Sequence, residues 1–112
     1  MKKVKNVQGH YTVPAGYSSW LNYWERNMTK TAVVCQKNGC KKSEDLEGGH
    51  VHFVGDEETV YLVPICHEHN HYTFTDEYLV PEDMLLEVPK EDLKRAILEE
   101  WLEEIKKNQK KK

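Results

Sequence analysis

Cys35-Gln-Lys-Asn-Gly-Cys40 and, after 25 intervening residues, Cys66-His-Glu-His69-Asn70 decide how this chain folds. All 3 cysteines of the 112 residues lie in these two stretches. Two close pairs of soft donors flanking a strand-rich segment are what a closed, four-coordinate zinc site needs. Asn38-Gly39 supplies the tight turn between the first two sulfurs. In the second stretch, His69 follows Cys66 by three residues, so on a helical turn both point the same way. His67 is turned about 100° away per helical step, and His71 is too far round. The expected ligands are therefore Cys35, Cys40, Cys66 and His69. They fill a tetrahedral shell, and a filled shell is structural because a catalytic zinc keeps one position for water. An odd cysteine count with interleaved histidines argues against a disulfide framework and fits a reducing, cytoplasmic location.

The sequence on either side supplies the frame. Thr31 to Val34 reads as a short strand leading into Cys35. Lys41 to Gly49 is polar and reads as a loop. His50 to Val54 then alternates, with His50, His52 and Val54 on one face and Val51 and Phe53 on the other. Gly55-Asp56-Glu57-Glu58 is a turn, and the β-branched, aromatic run from Thr59 to Ile65 is the return strand. Knuckle, β-hairpin and a ligand pair on a short helix form the order of a treble-clef zinc finger, an α+β fold, over about residues 31–72. Upstream, Val4 to Val13 contains a short strand, broken by Pro14-Ala-Gly16. Ser18 or Ser19 caps a helix to about Asn27, with Trp20 and Trp24 on one face and Leu21 and Met28 extending it. Glu77 to Val88 carries apolar residues but is interrupted by Pro81 and ended by Pro89. From about 90 to 107, Leu93, Ile97, Trp101 and Ile105 recur every four residues, with Leu98 and Leu102 beside them. Acidic residues lead this stretch and lysines close it, which suits a helix dipole. An amphipathic C-terminal helix packed on its own domain is expected. The whole reads as one domain over 1–105, with a disordered basic tail at 108–112.

Composition narrows the partners. Charged residues are 31% and hydrophobic residues 38%, ordinary for a water-soluble domain. No apolar run approaches the ~20 residues that span a bilayer, so no membrane partner is expected. The N-terminus is basic without the apolar core of a signal peptide. Half of the 16 basic residues lie at positions 2–5 and 106–112, whereas all 19 acidic residues lie between, so residues 6–105 carry a formal charge of −11. Such a body repels phosphate, and nucleic-acid binders usually present a basic face. A protein partner is expected in preference to a nucleic acid.

The order of these elements resembles the HNH nuclease superfamily, whose ββα-metal fold is built on a treble clef. Over residues 4–72 the chain is also similar to a group of small microbial and phage-associated proteins, largely of unknown function. Val4-Lys5-Asn6-Val7 with Gly9-His10, Trp20 and Trp24, the first cysteine pair, Gly49-His50-Val51, and Tyr61-Leu62-Val63-Pro64-Ile65-Cys66 ending in His69-Asn70 carry that likeness. The HNH resemblance implies that His50 matches a general base and Asn70 the final ligand of a catalytic divalent metal. Gly49 stands where the family has an acidic ligand, and Tyr61 where it has an asparagine that orients the base. Loss of such groups costs about 10–100-fold each. The leading expectation is a non-catalytic zinc-binding module that binds another macromolecule. One alternative is a divergent endonuclease in which His50 is the base and Asn70, with His52 or His71, holds a second divalent metal. Another is an acidic inhibitor, carried by a phage or mobile element, that occupies the nucleic-acid groove of an enzyme. In the bland case His50 and His52 simply pack beside the zinc lobe, His10 is surface, and His67 orients a ligand by hydrogen bond.

Overall fold

The run from Thr59 to Ile65 is rich in β-branched and aromatic residues, and it lies in the longest strand of a five-stranded antiparallel sheet. The chain is seen here as a computed structural model that describes residues 1–94. The strands are β1 (Lys2–Asn6), β2 (Leu46–Phe53), β3 (Asp56–Cys66), β4 (Tyr78–Val80) and β5 (Leu86–Glu87). Their order across the sheet is β4-β1-β2-β3-β5. Two helices accompany them, α1 (Trp20–Met28) and the single turn α2 (His67–Asn70). The fold is thus α+β, as expected. No helix among the described residues is long and apolar enough to cross a membrane.

The pleat divides the core in two. Val4, Val51, Val63, Ile65 and Val80 form one cluster with Cys35, Cys66 and Tyr78. Leu62 points to the opposite face, where it meets Trp20, Tyr23, Trp24 and Val88. The first face is covered by the cysteine-bearing loop and the second by α1. The helix starts where expected, because the Ser19 side chain accepts the Asn22 N–H at 3.0 Å. It ends at Thr29, which adopts φ 51 and returns its N–H to the Glu25 carbonyl. Trp24 is fully buried and spends its indole N–H on the Met84 carbonyl at 2.9 Å.

Several boundaries differ from the sequence-based expectation. Strand β2 begins at Leu46, inside the stretch read as a loop, because Leu46 to Gly49 pair with Val63 to Cys66. Residues 31–34 form no strand: Ala32 gives its N–H to the Glu25 carboxylate at 2.8 Å, and Val33 is 68% exposed. The short strand expected within Val4 to Val13 is present but begins earlier, at Lys2, and ends at Asn6. A register irregularity between Val51 and Phe53 breaks the alternation predicted for His50, His52 and Val54. Both edge strands come from the segment 77–88, whose pieces are too short to show a period. Of the expected C-terminal helix, Lys90–Asp92 form a 3-10 turn. The stretch from 95 to 107 and the tail at 108–112 lie outside the described residues.

Candidate metal centre and adjoining cleft

The loop between Cys35 and Cys40 is shaped by its own backbone before any metal is considered. Gly39 takes φ +81, a conformation that side chains disfavour, and the Cys40 N–H closes the turn on the Lys37 carbonyl at 3.0 Å. The Cys35 N–H bonds the Lys42 carbonyl at 2.8 Å, and the Gln36 N–H bonds the Pro64 carbonyl at 3.0 Å. Asn38 bonds Leu79 of the edge strand twice, through its N–H at 2.9 Å and its Oδ1 at 3.0 Å. The loop is thereby pinned to β3 and β4. Cys66 ends β3, and the turn of α2 carries His69 back over it.

The donor atoms of Cys35, Cys40, Cys66 and His69 all lie within 4.8 Å of one another. His69 Nδ1 is 3.2 Å from the Cys66 sulfur and 3.8 Å from that of Cys35. A tetrahedral ion bonded at about 2.3 Å to sulfur and about 2.0 Å to nitrogen sets its donors roughly 3.5–3.8 Å apart, so the four can share one metal ion. Burial pushes the Cys35 thiol up to about 11. At Cys40 burial also raises the pKa, but the Lys42 N–H and the other two thiols outweigh it and hold the group below its ordinary value. Burial, with Lys37 nearby, lowers His69 and favours the neutral imidazole that ligates metals. The ligand turn is held from outside: Asn6 donates to the His69 carbonyl at 2.7 Å and receives the Tyr78 hydroxyl. Phe74 meets the His69 ring edge to face at 5.0 Å.

A cleft of about 830 Å³ opens between the loop after β1, the start of α1, strand β2 and α2. It brings His50 and Asn70 together, the two residues singled out for catalysis, and adds His10, His67 and His71. His52 is not in its lining; its Nδ1 lies 3.2 Å from the Thr59 carbonyl. The His50 ring packs on Trp20 at 4.4 Å and Tyr11 at 4.8 Å. Its Nε2 is buried without a hydrogen-bond partner among the described residues. Burial, reinforced by His10, lowers its pKa to about 4, so the ring is neutral near pH 7.

Glu47 is the residue that sequence reading missed. Its carboxylate accepts the Asn70 amide at 2.9 Å and lies 2.8 Å from His67 Nδ1. His67 and Asn70 flank His69, so Glu47 clamps the ligand-bearing turn onto β2. The polar composition of 41–49 suggests a loop, and only strand pairing brings Glu47 opposite α2. Gly49 is more than a missing acid. A Cβ there would lie 2.3 Å from Ile65 Cδ1 and 3.2 Å from Asn70 Oδ1, so a larger side chain requires Ile65 to shift. Tyr61 stacks on Phe53 at 4.3 Å and is not part of the cleft lining. The chain matches no protein-family model, no curated protein and no solved structure.

Proposed function

We propose that this chain is a zinc-binding module of the treble-clef type whose task is to bind another macromolecule, a protein in preference to a nucleic acid, without catalysis. The observation that carries it is the donor set: three sulfurs and one imidazole nitrogen within 4.8 Å. Thiolates favour zinc over harder cations, and four protein ligands leave no position for a substrate water. Knuckle, hairpin β2–β3 and α2 follow one another in treble-clef order. The filled space at Gly49 supports a non-catalytic role, because an acid at that position would have to push Ile65 aside. The formal charge of −11 over residues 6–105 supports a protein partner. Native mass spectrometry tests the metal: one zinc per chain is expected, and Cys66→Ser lowers that occupancy. A chain that purifies folded and metal-free overturns the proposal.

One observation favours a second reading, a divergent endonuclease. His50 is neutral near pH 7, has no partner at Nε2 among the described residues and shares its cleft with Asn70, as a general base would. Incubation of the zinc-loaded chain with plasmid and Mg²⁺, Mn²⁺ or Ni²⁺ separates the two. Intact plasmid is expected. Nicking that His50→Ala abolishes, with the zinc retained, replaces the first reading by the second.

A further inference from the structure

We infer that the stacked Phe53–Tyr61 pair, on the sheet face opposite α1, is a docking surface for a lysine or arginine side chain of a basic protein partner. Strand register builds this surface. Directly opposed residues of antiparallel strands share a face. Phe53 stands opposite Val4 on β1 and Asp56 on β3, and Tyr61 opposite Val51 on β2 and Glu87 on β5. Val4 and Val51 are buried in the first core cluster, and the two rings continue that cluster outward, each only half-buried. The rings lie 4.3 Å apart and 15° from parallel.

The chain itself shows what such a surface takes. The Lys2 ammonium lies 5.5 Å from the centre of the Phe53 ring and 3.8 Å from the Glu82 carboxylate. An aromatic face with a carboxylate beside it holds a cation there, through the ring quadrupole and through charge. Among the described residues, Tyr61 has the same arrangement of ring and carboxylates but no cation. Glu87 and Asp56 are both exposed, and neither pairs with a lysine or arginine of the described chain. Asp56 spends one oxygen on the Glu58 N–H at 3.1 Å. Burial and the negative charge of Glu87, Asp56 and Glu82 raise the Tyr61 hydroxyl above its ordinary value, so all three carboxylates act on this ring. The partner supplies the cation that completes the second arrangement. Arginine suits it best, because a flat guanidinium stacks on an aromatic face and forks onto a carboxylate. A phosphate backbone meets three carboxylates here and is repelled. This assignment rests on the reading of the chain as a protein-binding module and names the chemistry of its partner.

The test is an NMR titration of the full-length, zinc-loaded chain at low salt with two probes, an acetylated tetra-arginine peptide and a single-stranded oligothymidylate. Tetra-arginine is expected to shift the amides of residues 53–61 and 86–88 first, leaving those of 19–28 unmoved. Tyr61→Leu, which keeps every charge, should weaken that binding about 2–5-fold, and Tyr61→Phe, which keeps the ring, should bind as the wild type does. Glu87→Gln, at an exposed position, should weaken it more than Glu91→Gln, which removes the same charge near Tyr23 on the α1 side. No binding of tetra-arginine, equal affinities of wild type and Tyr61→Leu, or shifts spread evenly over the acidic surface would overturn the proposal and leave the protein-binding reading standing. Shifts of the same amides by oligothymidylate would overturn both.

Discussion

At the scale of single residues, His50 and Gly49 carry the most information. The His50 pKa falls from 6.5 to about 4 on folding. As pH drops from 6.5 toward 4, the unfolded chain takes up a proton that the folded chain refuses, so stability is lost in that window and is complete only above it. Between pH 7 and 5 the wild type should lose about 2 kcal/mol more than His50→Gln, both loaded with zinc. Parallel urea titrations at the two pH values check this; equal losses would show that His50 titrates normally. Gly49→Ala places a methyl against Ile65, and overpacking of this kind costs about 1–3 kcal/mol. Restored stability in Gly49→Ala with Ile65→Val would locate the clash. His50 and Gly49 were both legible as positions of interest. Their environments were not, because burial and a side chain from the neighbouring strand decide them.

The elements show where sequence patterns suffice. Helix α1 was readable from Ser19, Trp20 and Trp24, since capping and four-residue spacing are local properties. Ser19→Ala should cost about 1 kcal/mol and Trp24→Ala about 3–5 kcal/mol, measured as shifts in the urea midpoint at unchanged slope. The seat of that helix was not readable. It rests on Gly48, where a Cβ would come within 2.7 Å of the Trp20 carbonyl carbon and 2.8 Å of the Leu21 N. Backbone yields less than a side-chain tip, so Gly48→Ala should destabilise more than Gly49→Ala in the same titration. The first half of strand β2 is not visible in the sequence because Leu46 to Gly49 lack hydrophobic alternation. Pairing with Val63 to Cys66 makes them a strand nonetheless. The edge strands β4 and β5, of 3 and 2 residues, exist only because β1 and β3 offer them hydrogen bonds.

For the whole molecule, the four donors are placed so that one ion could hold a loop, a strand end and a helical turn together. Cys35 and Cys66 belong to the core cluster on that face of the sheet, so removing the metal would leave buried thiols where a bonded centre stood. Chelation should therefore strip amide protection from residues 35–42 and 66–70 first and lower the unfolding midpoint cooperatively. Hydrogen exchange with and without chelator measures it, and unchanged protection would mean that the sheet stands without the ion. Spacing along the chain is enough to point to the four donors, the capped aromatic helix and the hairpin, because each is a local pattern. Tertiary structure alone decided that Glu47 clamps the turn of α2, that Ile65 fills the space at Gly49, and that His50 lies buried against Trp20 and Tyr11. These are contacts between strands and helices distant in sequence, and no local period encodes which neighbour a side chain will meet.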